Sequence, residues 1–449
     1  MNPLFLFVAL TMVLSGCVVH EPVQLPRLVV PQTWSDETVK ARLTVTAGLL
    51  DLVDDPRARA LVQEGLNQNH DLRAAGQRLA ASGLLLSGPL ARRFPTVSAG
   101  MDLARNNQGE NHDVGSQFKF SGTVRWEVDI WGRLKDLYDA EEAGFRASEA
   151  DYRAAMDSLG ARVITLWIQG ASARQRMALE EKRIEIHQKS EATVLERYQQ
   201  GLGNLNDLAS VRSTVEQARA ELVQEQCGYA EIARSLEILV GRYPDASLDF
   251  PAELPQVDHP PVRVPGAVLE NRPDIKALMA RLEAAHLVTV AEKKAMLPGV
   301  TLSADLFKSP AQLGGLGSAS TLWGTSVSIL QPVFNNRSLR AKYEAMKETE
   351  KALVDEYCQA VLRAMKEVEN AFGREKAFGM QAAHLARALE QAEQNSRYYF
   401  QRYTTGLASI LDLNQVNDQA LLVRKRLVAI RKARLINRID MAKALAYSL

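Results

Sequence analysis

The sequence lacks several features that mark common protein classes. Three cysteines among 449 residues are too few for a disulfide scaffold. The 54 basic and 53 acidic residues leave a net charge of +1, without the basic excess typical of nucleic-acid-binding proteins. The sequence contains no HExxH, P-loop, GxSxG or CxxC motif, and its histidines do not have the spacing of metal ligands. We therefore expect no enzyme, no metal site and no cofactor.

Long hydrophobic runs are also missing. The apolar stretch Leu4–Leu14 is shorter than the roughly 20 residues that a helix needs to cross a bilayer, and it fits a signal peptide over residues 1–16. The stretch leads to Leu14-Ser15-Gly16-Cys17, which resembles the bacterial lipobox, although basic residues are missing near Met1. This resemblance implies a lipid attached to Cys17; the alternative is a chance cysteine in the leader. Any further membrane crossing would use β-strands.

Proline is absent from two long segments, between Pro95 and Pro244 and after Pro332. In both segments apolar or small residues recur at three- and four-residue spacing, which is typical of coiled coils. The pattern predicts two helices, Leu134–Gln200 and Ser338–Thr405, each about 100 Å long if helical throughout. Shorter helices are predicted over Arg57–Arg92, Leu208–Arg242, Pro273–Leu297 and Ala408–Ala446. Cys227 and Cys358 fall within helical segments, and we expect both to be buried free thiols.

The two halves of the chain repeat one pattern. Asn69–Ala74 parallels Arg272–Ala277, and Arg197–Leu202 parallels Arg402–Leu407. Further matches lie between these in the same order, so the halves indicate an internal duplication. Each half reads as a helix, two strands, a very long helix, a turn and another helix.

Apolar and polar residues alternate in each predicted strand pair. The first pair lies between Phe94 and Arg133, and the second runs from Val300 to Val333 with a noisier last strand. Such alternation suits a membrane strand with lipid on one face and water on the other, but an ordinary half-buried sheet shows it too. Four membrane strands cannot close a barrel, so copies must pool them; a dimer with eight strands and a trimer with twelve both satisfy this requirement.

The chain resembles the TolC/OprM outer-membrane factors, particularly the lipoprotein (NodT-like) branch. The resemblance rests on Trp126-Glu127-Val128-Asp129-Ile130-Trp131-Gly132-Arg133-Leu134, on Asn271-Arg272-Pro273-Asp274-Ile275 and on the two turns. It implies a mainly α fold with a small transmembrane β part: a homotrimeric 12-stranded β-barrel continued by a long periplasmic α-helical barrel. The implied divisions are a signal peptide (1–16), a lipid-anchored N-terminal segment with equatorial pieces (17–55), the first repeat (56–246), a linker or equatorial segment (247–265), and the second repeat with a C-terminal equatorial part (266–449).

The resemblance also implies a function: the passive exit duct of a tripartite efflux or type I secretion-like system. The duct would lie in the outer membrane, extend into the periplasm, and open at its periplasmic tip when an adaptor docks. Its implied partners are a periplasmic adaptor and an inner-membrane transporter of the RND or ABC type. Gly201 and Gly406 would occupy the two tip turns, because glycine meets the positive φ that such turns require. The exposed Leu202 and Leu407 would contact the adaptor or simply complete the packing of the turns.

Four further residues are implied to form the gate: Leu411, Asp412, Asp207 and Tyr403. Leu411 matches a constricting leucine of OprM-like members, and Asp412 would add a ring of carboxylates near the closed end. The alternative for Asp412 is a carboxylate in the first helical turn, and its repeat partner Asp207 fits that role as well. Ala408 and Gln415 depart from the family pattern. The sequence therefore does not identify the contacts that keep the gate closed.

A second function is a periplasmic coiled-coil lipoprotein with a structural or adhesive role and no pore. It explains the helices and the lipid anchor, but it does not explain why a strand pair recurs in each half. An enzyme would require a site of unfamiliar type.

Overall fold

The structure, a computed structural model, describes residues 30–35, 41–42, 48–107, 114–308, 320–334 and 336–449. These residues form two compact units, and each unit draws on both halves of the chain. The sheet unit contains residues 77–150 and 276–359, whereas the helical unit contains the described residues of 30–76, 151–275 and 360–449. The predicted signal peptide and Cys17 lie outside the described residues.

The described chain is mainly helical, as predicted. Its helices are α1 Pro56–Gln68, α2 His70–Leu85, α3 Ser87–Ala91, α4 Arg133–Gln199, α5 Leu205–Leu239, α6 Pro265–Asn271, α7 Pro273–Lys294, α8 Asn336–Thr404 and α9 Ile410–Ala444. The two long helices are confirmed, with 67 residues in α4 and 69 in α8. The predicted shorter helices α5, α7 and α9 are confirmed with small shifts at their ends. Within the described ranges, no helix has the length and apolar character needed to cross a membrane.

The prediction of one helix over Arg57–Arg92 is wrong, because this segment forms α1, α2 and α3. Asn69 separates α1 from α2 with an extended backbone, ψ 122°. Its side-chain oxygen accepts from the Leu72 N–H at 2.8 Å, and its amide nitrogen donates to the Leu239 carbonyl at 2.9 Å. A buried asparagine that caps the next helix in this way favours a break over a continuous helix.

The expected burial of both free thiols is also wrong, because Cys227 is exposed and Cys358 is only half-buried. A helical assignment does not fix which face of the helix a residue occupies, and the predicted burial rested on that assignment alone.

Six strands complete the described structure: β1 Ala41–Arg42, β2 Thr96–Asn107, β3 Val114–Val128, β4 Val262–Arg263, β5 Gly299–Lys308 and β6 Thr321–Leu330. The four predicted strands form one antiparallel sheet in the order β2-β3-β5-β6. The noisier last strand ends at Leu330, before the expected Val333. Because β3 pairs with β5, the strand pairs of the two halves join into a single sheet.

The motif between Trp126 and Leu134 forms the bend from β3 into α4. Asp129 accepts from the Leu134 and Lys135 N–H groups at 3.1 and 2.8 Å, which caps α4. Gly132 supplies the left-handed residue of the bend with φ +71°. The Trp131 indole N–H donates to the Pro298 carbonyl at 2.8 Å. The motif therefore fixes how the strand leads into the long helix.

The hydrophobic core of the helical unit lies where the three segments expected as equatorial pieces meet. Trp34 donates to the Arg263 carbonyl at 2.7 Å, and the Tyr447 hydroxyl donates to the Pro261 carbonyl at 2.7 Å. Gly170 of α4 lets the buried Phe250 ring pack directly on the helix backbone. The glycine is thus a packing notch within the long helix, which continues through it.

Candidate functional site

Two short turns join α4 to α5 and α8 to α9, where the sequence predicts the tip turns. Gly201 and Gly406 adopt φ +73° and +76°, as expected for glycines that end helices. In each turn the leucine after the glycine donates its N–H to the carbonyl five residues earlier, at 2.9 Å for Leu202 and 2.8 Å for Leu407. The two halves therefore build the same helix-ending turn.

Both turn leucines point away from the core of the protomer. The side chains of Leu202 and Leu407 are 77% and 68% exposed. Burial of a leucine side chain stabilises a protein by roughly 1.5–3 kcal/mol. Leu202 and Leu407 obtain little of this stabilisation within one chain. The geometry therefore offers two apolar contacts to another molecule, because packing within either turn does not use them.

Beneath the turns, one small hydrophobic cluster joins the two hairpins. Its buried members come from all four helices: Val194, Leu208, Val211, Tyr403, Ile410 and Leu413. The Arg197 guanidinium lies over the Tyr403 ring, 4.9 Å from the centroid. The Tyr403 hydroxyl is buried without a hydrogen-bond partner among the described residues, so it does not bond Asp207 within the protomer. Tyr403 acts here through its ring.

The carboxylate of Asp412 closes the start of α9. Ser409 and Asp412 form a reciprocal capping box: the Asp412 N–H donates to the Ser409 hydroxyl at 3.1 Å, and the Ser409 N–H donates to the Asp412 carboxylate at 3.0 Å. The hydrogen bonds from the Ser409 hydroxyl and N–H hold the pKa of Asp412 below its ordinary value. Asp412 is therefore the first-turn carboxylate that the alternative predicted, and it is exposed and ionised at neutral pH.

The other two predicted gate residues lie close to this cap. Leu411, beside Asp412 in the first turn of α9, is exposed. Asp207 occupies the first turn of α5 and is half-buried, below the Asn204 cap. The structure thus brings all four predicted gate residues to the two turns.

Sequence reasoning missed a group of charged residues between α4 and α9. Arg183 and His187 of α4 both contact the Asp418 carboxylate of α9, at 2.9 and 3.0 Å. His187 is fully buried, which agrees with a core role. The available signal was the spacing of Glu180, Arg183 and His187, which places them on one helical face.

Strand register gives the sheet one mainly apolar face, on which Arg105, Lys308 and Thr321 lie at one end and Thr325 lies between apolar neighbours. Directly opposed residues of antiparallel strands share a face, and the pairs Val97–Val124, Leu302–Val327 and Leu306–Trp323 are all apolar. The opposite face carries polar pairs such as Asp102–Lys119 and Ser303–Ser326. The predicted alternation is therefore in phase across all four strands.

The described residues contain no cluster of three or more histidine, cysteine, aspartate or glutamate side chains that could hold a metal ion.

Comparison with known proteins identifies what these features resemble. Residues 61–242 and 264–446 match the protein family described as "Outer membrane efflux protein". The first matched segment lies within the predicted first repeat, and the second begins two residues before the predicted second repeat.

Individual proteins match over nearly the whole chain. The antibiotic efflux pump outer membrane protein ArpC of Pseudomonas putida is 27% identical, covering 96% of this chain and 93% of ArpC. The cation efflux system protein CusC of Escherichia coli K12 is 25% identical, covering 96% of each chain. The solved structure of the outer-membrane channel OprN superposes with a TM-score of 0.86 at 24% identity, covering 96% of this chain and 99% of that one. The last match shows the same fold.

Proposed function

The chain belongs to the outer membrane efflux protein family, and we propose that three copies form a passive exit duct gated at the tip turns. Family membership confirms the resemblance to the TolC/OprM type, the outer-membrane location and the efflux function, and it confirms that the chain is not an enzyme. The trimer, the gate and the partners are the finer parts of the proposal.

The observation that carries the proposal is the sheet with its single apolar face. Among the described strands, β2 pairs only with β3 and β6 pairs only with β5, so each outer strand has one unpaired edge. Unpaired backbone groups are not tolerated in lipid. Copies must therefore join β2 to β6 around a closed ring, and three copies supply twelve strands with the apolar face toward lipid. This requirement disfavours the pore-free structural lipoprotein.

The gate follows from the tip geometry. Leu411 and Asp412 are exposed on the first turn of α9, in a position to line the closed end when three copies assemble. A ring of leucines closes a pore by excluding water, and a ring of carboxylates attracts cations to it. Tyr403 and Asp207 support the two helix starts from within the protomer. Opening then requires the start of α9 to move outward.

Partners are inferred from the exposed turns and the relatives. We assign Leu202 and Leu407, each following its turn glycine, to contact with a periplasmic adaptor. ArpC is named as part of an efflux pump and CusC as part of a cation efflux system. An inner-membrane transporter of the RND or ABC type would supply the energy for transport through the passive duct. The differing cargoes in these two names agree with selection by the transporter.

The N-terminal lipid belongs to the same proposal. Signal cleavage before Cys17 would leave that cysteine to carry the anchor, and acyl chains contribute about 0.8 kcal/mol per buried methylene. Mass spectrometry of the N-terminal peptide tests this: an acylated Cys17 is expected, and an unmodified or longer N-terminus contradicts it.

Two adjacent substitutions test the membrane sheet. Leu302 lies on the apolar face opposite Trp126, whereas Thr301 lies on the polar face opposite Glu127. Leu302→Lys places a charge in lipid at a cost of roughly 2–4 kcal/mol near the midplane. Thr301→Lys is the matched control, because its charge faces water and Glu127. We expect Leu302→Lys to reduce outer-membrane assembly and Thr301→Lys to preserve it.

Purified protein in a planar bilayer completes the test. Wild type and Thr301→Lys should cross-link as trimers and give discrete conductance steps, and Leu411→Ala should increase the open fraction. Equal tolerance of lysine on both faces, or a stable trimer that never conducts, would refute the duct.

A further inference from the structure

A group of charged and polar side chains, here called the polar seam, joins α4 to its neighbours below the tip cluster. It consists of Glu180, Arg183 and His187 on α4, Glu221 on α5, and Asp418 and Lys425 on α9. Glu180 and His187 are fully buried. The proposed duct does not by itself require such a group, and burying ions is costly unless they are paired.

Asp418 is the only carboxylate of α9 in the polar seam. Its Oδ1 accepts from Arg183 Nε at 2.9 Å and lies 3.0 Å from His187 Nε2. Burial alone would raise the pKa of Asp418, but the hydrogen bonds from His187 and Arg183 lower it below the ordinary value. Asp418 therefore remains ionised and holds α9 to α4 through two donors.

The remaining members of the seam balance the charge around Arg183. Arg183 Nη1 lies 3.1 Å from Glu221 and 3.5 Å from Glu180. Lys425 of α9 pairs with Glu180 and lies 3.3 Å from Glu221. Three carboxylates thus face two cations and one imidazole. Moving α9 away from α4 would separate Asp418 and Lys425 from their partners at the same time.

A further contact between α4 and α9 lies outside the polar seam, nearer the start of α9, where the gate residues lie. The Ser190 hydroxyl of α4 donates to the Asn414 side-chain oxygen of α9 at 3.1 Å, and both residues are buried. Asn414 is two residues beyond Asp412 on the same helix. Because a helix transmits displacement along its length, contacts that fix Asn414 and Asp418 also fix Leu411 and Asp412.

We propose that Arg183, His187 and Asp418 are positioning residues that hold the gate end of α9 against α4 and so set how readily the duct opens. This role rests on the proposed function. It also supplies holding contacts at positions other than Ala408 and Gln415, where the chain departs from the family pattern.

Asp418→Asn provides the main test. The substitution keeps the side-chain shape but removes the charge facing Arg183. In a planar bilayer, the open fraction of the trimer should rise by about tenfold or more, as expected from losing a charged hydrogen bond. Glu225→Gln is the matched control: Glu225 pairs with Arg176 at 3.0 Å and joins α4 to α5, so the hydrogen bonds to Asp418 stay intact.

Substitutions of His187 form a milder second test that does not leave a buried charge unpaired. His187→Leu removes a donor to Asp418 and should raise the open fraction by roughly threefold to tenfold. His187→Gln retains an N–H donor and should stay near wild type. Because both variants leave Asp418 paired with Arg183, both remain informative if Asp418→Asn fails to form trimers.

The outcomes separate this inference from the duct itself. An increased open fraction in Asp418→Asn and His187→Leu, with Glu225→Gln and His187→Gln near wild type, supports the polar seam. If the wild type conducts but the Asp418 and His187 variants have the same open fraction as Glu225→Gln, the proposed role of the polar seam is wrong and the proposed duct is unaffected. Trimers that never conduct, in wild type or in Leu411→Ala, overturn both.

Discussion

Replacing Gly170 with alanine tests a tight packing contact in the helical unit. An alanine Cβ at this position would lie 2.2 Å from Phe250 Cδ1, whereas ordinary contact begins near 3.4 Å. Phe250 is not free to retreat, because its ring centroid lies 5.4 Å from that of Trp167 and 5.3 Å from that of Tyr229. Its backbone N–H also donates to the Tyr229 hydroxyl at 3.2 Å. We therefore expect Gly170→Ala to destabilise the protein.

The magnitude follows from two opposing effects. Alanine favours a helix over glycine by up to about 1 kcal/mol. Forcing an extra methyl into a packed core costs about 1–3 kcal/mol, and expelling the ring would approach the 3–5 kcal/mol of a Phe→Ala change. Repulsion outweighs helix propensity, so the free energy of unfolding should fall by about 1–3 kcal/mol. At roughly 2–4 °C per kcal/mol, the apparent Tm should fall by several degrees.

Gly144 of the same helix provides the control, because an alanine Cβ there would meet nothing within 4 Å. Gly144→Ala should leave the apparent Tm unchanged or raise it. The assay is thermal unfolding of the purified protein in detergent, followed by circular dichroism at one heating rate. Adding Phe250→Leu to Gly170→Ala should recover part of the loss. If Gly170→Ala and Gly144→Ala had the same stability, the close approach of Phe250 would not require glycine at position 170.

Three further substitutions give distinct outcomes. Tyr403→Phe removes a buried hydroxyl that has no hydrogen-bond partner among the described residues, so thermal unfolding should show equal or higher stability, by up to about 1 kcal/mol. A loss of stability or an increased open fraction would reveal a partner in another copy of the chain, as in the proposed trimer. Asp129→Ala removes the cap of α4 and should lower the free energy of unfolding by about 0.5–2 kcal/mol in the same assay, whereas an unchanged apparent Tm would contradict the capping role. Because the pKa of Asp412 is lower in the folded state, its ionised carboxylate stabilises the protein at pH values above the ordinary pKa near 4. This stabilisation is lost as the pH falls through the pKa of Asp412 in the folded state. Ser409→Ala should therefore weaken this acid dependence in unfolding curves from pH 7 to pH 3, and an identical dependence in both proteins would exclude the capping box as its source.

The sequence was sufficient for the elements whose signal is periodic. The long helices α4 and α8 follow from a helical stripe without proline, and the four sheet strands follow from alternation with a period of two. The phase of that alternation also predicted which residues share a face, because pleating fixes the direction of every second side chain. Gly201 and Gly406 were predictable because a helix-ending turn requires a left-handed residue.

Contacts between residues distant in sequence could not be predicted in this way. The approach of Phe250 to Gly170 depends on where the segment after α5 crosses α4, and no local pattern records that crossing. Asp418 likewise meets Arg183 and His187 from the other half of the chain, and the local sequence of α9 does not indicate this contact. The break at Asn69 was missed because asparagine is tolerated within helices unless its side chain finds capping partners.

The two tip turns show how a duplicated element can acquire one specialised copy. Gly201 and Gly406 have nearly the same φ, so the turn itself did not diverge. The starts of the helices that follow the turns differ. Ser409 and Asp412 form reciprocal hydrogen bonds at the start of α9, whereas at the start of α5 the Asn204 side chain accepts from the Asn206 N–H at 2.8 Å. A serine hydroxyl can donate and accept together, and here it fixes the Asp412 carboxylate beside the exposed Leu411. The second hairpin therefore presents a charged first turn held by reciprocal hydrogen bonds, which is the feature that the proposed gate uses.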